Sequence, residues 1–223
     1  MAISFVPAVG SALQVAFNEA AGRRLADRRT AWLNGLAEKV HALEEQIGDF
    51  AKLVSEDTFM DALTTASQIA DRTSRVEKLE VLRNAVVNSV MPDAPDADTQ
   101  QLFFDMLDRF TVTHVRMLTL LSNPTGWFER TGLPRPNMTM GARERLVEIG
   151  MQELISRRDL IRLYAADLNT AGLIDPPVTA VVSENRLWEN GLTLLGRRFL
   201  AFVTEPESKV HQAPADRAMV VGR

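Results

Sequence analysis

Glu38 and His41 stand three residues apart, the Glu-x-x-His spacing by which di-iron bundles offer a carboxylate and an imidazole to one metal, and Glu45 lies about two turns beyond Glu38. Such a centre needs a second Glu-x-x-His and two further glutamates. Neither His114 nor His211 has a glutamate three residues before it. His114 follows Asp105 and Asp108 in an otherwise apolar stretch, and it reads as a core or interfacial imidazole rather than a general base. The acidic run Met91-Pro-Asp-Ala-Pro-Asp-Ala-Asp98 lacks the EF-hand spacing and its closing glutamate, so it reads as a connector. There is no Walker A sequence, Gly-rich dinucleotide loop, Gly-x-Ser-x-Gly or His-Glu-x-x-His. With no cysteine there is no thiol nucleophile, Cys zinc site or disulfide framework. The expectation is a protein without catalytic, cofactor-binding or metal-ligating residues, and not an enzyme.

The composition fits a folded chain of one or two domains: 223 residues, 46% hydrophobic and 24% charged. A net charge of −4 excludes a chain-wide electrostatic grip on nucleic acid. Residues 1–129 hold 12 basic and 18 acidic side chains, and residues 130–223 hold 13 and 11. Affinity for anions is therefore expected in the second part. The lack of cysteine fits a reducing compartment, and a cytoplasmic location is expected because no basic n-region or convincing cleavage site opens the chain.

Residues 1–18 carry no charged side chain, and Arg23, Arg24, Arg28 and Arg29 follow them. The stretch holds Pro7, Gly10, Ser11, Gln14 and Asn18 and is marginal for a span. A helix from about Ser11 that docks on the rest is expected, with membrane contact through residues 1–18 as the other reading.

From there the apolar residues take heptad spacing: Leu33, Val40, Ile47 and Val54 at a, and Leu36, Leu43 and Phe50 at d, with Trp32 widening the stripe. An intramolecular hairpin and an intermolecular coiled coil both use this seam, and a dimer through it is expected. A second helix is predicted over 56–90, with Phe59, Leu63, Ala66, Ala70, Thr73, Val76, Leu79, Leu82, Val86 and Val90 inward, and Glu77 and Lys78 on the polar flank. A third carries Leu102, Phe103, Met106, Leu107 and Phe110, and Thr111 or Thr113 caps a shorter one. The fold class is thus mainly α: a helical hairpin or bundle over 1–122, a Pro/Gly hinge over 123–141, a module over 142–203 and a loosely ordered tail over 204–223.

In the module, helices are predicted over 142–155 and 157–170, with Ser156 as N-cap and Gly172 as C-cap glycine. Residues 178–182 are the only β-branched run that reads as a strand, within a small ribbon near 173–193. The stretches AADLNTAGLIDPP and LTLLGRRFLAFV resemble the end of a winged-helix domain. The front half, with EKLEVLRNAVVNSV and LDRFTVTHVRMLTLLSNP, resembles poorly characterised bacterial helical proteins, some linked to abortive infection of phage.

That resemblance implies a protein-interaction or regulatory role, with a place in phage defence. A dimeric winged-helix regulator is the alternative, in which Arg158 and Arg162 read base edges, with Arg157 and Asn169 beside them. A membrane-acting protein is the third reading. Against DNA, Asp159 and Asp167 share the reading helix, and Arg186 is the sole basic residue of the would-be wing at 175–191. Arg158, Arg162, Arg197 and Arg198 are expected to form an anionic-partner surface: acidic protein first, nucleic acid second.

Overall fold

From Ala8 to Ala42 the chain meets no proline and runs as one helix, α1, in the computed structural model, which describes residues 8–43 and 56–206. Side chains of α1 are described from Glu19 onward, 20 and 21 apart. Residues 1–7, the seam positions Ile47, Phe50 and Val54, and the tail from residue 207 lie outside the described residues. No described helix is long and apolar enough to cross a membrane.

The helix predicted over 56–90 is two helices, α2 (Asp57–Asp71) and α3 (Val76–Asn88). The break falls at Thr73, whose Oγ1 accepts from Arg75 N at 3.2 Å. A short hydroxyl side chain that bonds the backbone two residues on offers it an alternative to helix. The hairpin is therefore α2 with α3, and both lie against α1. Val76, expected inward, is exposed, and Lys78, expected on the polar flank, is buried.

Asp96 caps α4 (Ala97–Arg109) by accepting from Thr99 N at 3.0 Å. Leu102 is exposed and Phe104 buried in its place, because the inward stripe of α4 runs through Phe103, Phe104, Met106 and Leu107. Thr111 caps α5 (Val112–Ser122), as its position predicts. The segment expected as a hinge opens instead with α6 (Pro124–Thr131), where Asn123 accepts from Gly126 N at 2.9 Å and proline takes the first turn, a place it tolerates. Trp127 and Phe128 are buried there, and Trp127 Nε1 donates to Gly150 O at 2.8 Å.

Next come β1 (Met140–Ala142), α7 (Arg143–Gly150), a 3-10 turn (Gln152–Leu154), α8 (Arg158–Thr170), β2 (Val181–Ser183), α9 (Glu184–Trp188) and α10 (Leu194–Val203). β1 and β2 pair antiparallel with Gly141 opposite Val182. The ribbon thus draws one strand from before the predicted 173–193 region, and residues 178–180 are not strand. Ile174 and Leu192 make one separate bridge. Ser156, predicted as an N-cap, adopts a left-handed φ of 60°, and Arg157 precedes the helix instead. Gly172, at φ 71°, ends α8 as expected.

The described chain is mainly helical, with ten α-helices and this two-stranded sheet. Its apolar core is continuous from α1 to α10. Phe199 and Phe202 of α10 meet Phe103 edge-on and tilted, each at 5.4 Å between ring centroids. Carbonyls at the end of α10 would otherwise lack partners. Asn88 Nδ2 donates to Phe202 O and Thr204 O at 2.8 Å, and Asn84 Nδ2 to Val203 O at 3.2 Å.

Candidate functional site

Leu36, Val40 and Leu43 are buried within the chain, joined by Trp32, and both α2 and α3 lie against α1. Leu33 is 36% exposed and stands outside that stripe. Leu36, Val40 and Leu43 are thus occupied by intramolecular packing.

The four arginines expected to form one surface have separate neighbours. Arg162 donates to Glu144, Nε to Oε1 at 2.8 Å and Nη2 to Oε2 at 3.4 Å. Arg158 Nη2 reaches Glu148 Oε2 at 3.4 Å, and Arg145 Nη1 reaches the same oxygen at 2.7 Å. Both glutamates sit on α7 and are nearly buried. The Arg145 hydrogen bond, first, and the charges of Arg158 and Arg145 hold the Glu148 carboxyl below its ordinary range against the opposing pull of desolvation. Arg197 Nη1 donates to Leu192 O at 2.9 Å. Arg198 faces the acidic connector in a pocket of about 250 Å³ that Asp93 and Pro95 also line.

A second cluster of cations was not foreseen, and it lies in the acidic first part. Arg72 and Arg75 from the α2–α3 turn, Lys78 from α3 and Arg109 from the end of α4 line a cavity of about 260 Å³. Asp108 is the one carboxylate of the lining, and Thr73, Thr111 and Thr113 bring hydroxyls. Asp108 Oδ1 accepts from Arg72 Nη2 at 2.8 Å. Arg75 Nε stands 3.5 Å from Glu77 Oε2. The Arg109 guanidinium lies 6.0 Å from the centre of the Phe110 ring.

Lys78 is 6% exposed, and its Nζ donates to the carbonyls of Leu107 and Phe110 at the end of α4. A cation there meets the negative end of the helix dipole. Desolvation pushes its ammonium down to about 8, with Asp108 opposing.

His114 is buried beside this wall, stacked on Phe110 at 4.8 Å between ring centroids. Its Nδ1 accepts from Thr111 N at 3.0 Å, and Thr111 Oγ1 also stands 3.0 Å from it. The neutral ring must then carry its proton on Nε2, which lies 3.2 Å from Asp167 Oδ2 of α8. The imidazole is lowered from its ordinary range by burial first; Asp167 opposes this and Lys78 adds to it. The hydroxyl–imidazole–carboxylate order resembles a triad. Yet Nδ1 is already engaged by the backbone N–H of a capping box, and the geometry is that of a helix start tied to α8.

No group of three or more metal-ligating side chains occurs among the described residues. Comparison of the chain with protein-family models, with curated proteins and with solved structures gives no match.

Proposed function

We propose that this is a non-enzymatic interaction protein that engages a protein partner through the outer face of α8, in a C-terminal part of winged-helix-like design. The observation that carries the reading is the pairing of Arg162 and Arg158 with Glu144 and Glu148. Phosphate contacts draw their free energy from counterions released by unpaired cations. Arginines already matched by near-buried carboxylates have little of that to give. The neighbouring strip of α8, by helical spacing, is Asp159, Leu163, Ala166 and Thr170, all exposed, with one acid and no base. Leu163 is 55% exposed and Ile155, just before the helix, 50%. Half-exposed apolar residues ringed by matched charge suit a protein contact better than a major groove.

The test places a photo-crosslinking residue at 163 in one variant and at 25, on α1, in another, in the cells that make the protein. A discrete protein adduct at 163 that is absent at 25 is expected. An adduct to nucleic acid overturns the reading. So does saturable binding of the purified chain to duplex DNA with a steep salt dependence.

A further inference from the structure

We propose that the cavity between the α2–α3 turn and the α4–α5 junction binds a small phosphate-class anion, free phosphate or a phosphate monoester. The site is separate from the outer face of α8, and the proposal does not rest on the protein-contact reading.

The first 129 residues hold 12 basic side chains against 18 acidic ones, yet four of the 12 line this one cavity. Four cations against the single carboxylate of Asp108 give the lining a charge of +3, and +2 when Glu77, just outside it against Arg75, is counted, in a chain of net charge −4. Like charges gathered in one concavity repel one another and focus a positive potential into it. Packing does not require the concentration. Arg72, Arg75 and Arg109 are exposed, and none of them completes an apolar stripe. A bound anion relieves the repulsion.

Two guanidinium forks come from the α2–α3 turn, Arg72 bonded to Asp108 and Arg75 beside Glu77, and a third from Arg109 at the end of α4; the fork geometry matches phosphate oxygens two at a time. The hydroxyls of Thr111 and Thr113 stand at the mouth of α5, whose first residues, Val112 and Thr113, also line the cavity. Their backbone N–H groups have no partner within the helix, and the positive end of the helix dipole lies there. Lys78 commits its ammonium to two carbonyls and so supplies field rather than a contact. Ile69 and Phe110 form an apolar wall.

A volume of about 260 Å³ falls below the roughly 300–1,000 Å³ of sites for drug-sized ligands, so the occupant is small. Phosphate on a lipid headgroup has the same chemistry, and the experiment separates the two sources.

The experiment is calorimetric titration of the full chain with inorganic phosphate, ionic strength held constant with chloride. One saturable site is expected. The double change Arg75→Gln, Arg109→Gln should weaken it by about tenfold for each arginine lost. Thr113→Asp keeps the fold under test, because an acid in the first turn favours the helix while repelling the anion. It should retain the wild-type melting temperature and lose phosphate binding. The proposal is overturned if the wild type shows no saturable phosphate binding, or if both variants bind as the wild type does. It is also overturned if the chain ignores free phosphate and sediments only with phosphatidylcholine vesicles that contain phosphatidic acid.

Discussion

Arg162 of α8 closes two hydrogen bonds on the carboxylate of Glu144 on α7, at 2.8 and 3.4 Å, and Arg158 stands 3.4 Å from Glu148 one turn away. The two helices are thus laced by charge along matching faces. The basic outer surface doubles as the support of two near-buried carboxylates.

The double change Arg158→Glu, Arg162→Glu therefore acts on stability before it acts on any partner. It sets four carboxylates along one helix contact. The melting temperature should fall clearly, and Arg158→Gln, Arg162→Gln should lower it less. Thermal unfolding by circular dichroism checks this. Equal melting temperatures for wild type and the charge-reversed chain would show that the lacing contributes nothing.

Gly196 offers a sharper steric test. A Cβ at this position would stand 2.0 Å from the Leu173 carbonyl oxygen. Both groups are backbone, so neither can swing aside. Gly196→Ala should cost about 3 kcal/mol, at the upper end for overpacking. Gly22, on α1, has nothing within 4 Å of its Cβ position, and Gly22→Ala should gain up to about 1 kcal/mol. Urea unfolding of the two variants measures both.

His114 sets an acid limit. Its folded imidazole is depressed below the ordinary 6.5, chiefly by burial. As pH falls through 6.5 the unfolded chain takes up a proton that the folded chain resists. Stability from this group is complete above that pH and is lost below it. His114→Asn keeps an acceptor near the Nδ1 position and removes the titration. The variant should lose less stability than wild type between about pH 7 and pH 5, as read by urea midpoints across that range.

Lys78 works at the alkaline end. Its ammonium titrates at about 8 in the folded chain against 10.5 unfolded. Between those values the unfolded chain holds the extra proton, so stability rises with pH. Wild type should gain up to roughly 3 kcal/mol on Lys78→Met over that window, while at neutral pH the variant loses the two carbonyl bonds at the end of α4. Parallel pH profiles for the two proteins would refute the assignment.

Much of the helical framework was legible. The spacing that buries Leu36, Val40 and Leu43 reads directly from the heptad, and Thr111 and Gly172 announce the ends of their helices. At Leu33 the heptad and the structure part: Trp32, 2% exposed, fills that end of the stripe with the larger apolar side chain, and Leu33 is left 36% exposed. The split at Thr73 was marked only by a weak breaker, a hydroxyl in a polar turn. The Arg–Glu lacing had a visible sign: Glu144 and Glu148 share the four-residue spacing of Arg158 and Arg162, so each pair occupies one helix face. That the two faces meet is a tertiary fact. The cationic cavity had no local sign at all. Its residues come from 69–78 and 108–113, and the net charge of the first part is negative.

The helix that closes the core of the front half is also the last one described. Phe199 and Phe202 cover Phe103, and Phe202 also meets Phe104, while Asn84 and Asn88 wait for carbonyls at 201–204. During synthesis α4 leaves the ribosome about ninety residues ahead of α10. At roughly 5–20 residues per second, that is an interval of about 5 to 20 seconds in which those two rings have no lid. The nascent front half is then a holding state with an adhesive face. Its completion is tied to the emergence of residues 194–203 rather than to its own, and chaperone occupancy on stalled chains should drop when those residues clear the exit tunnel.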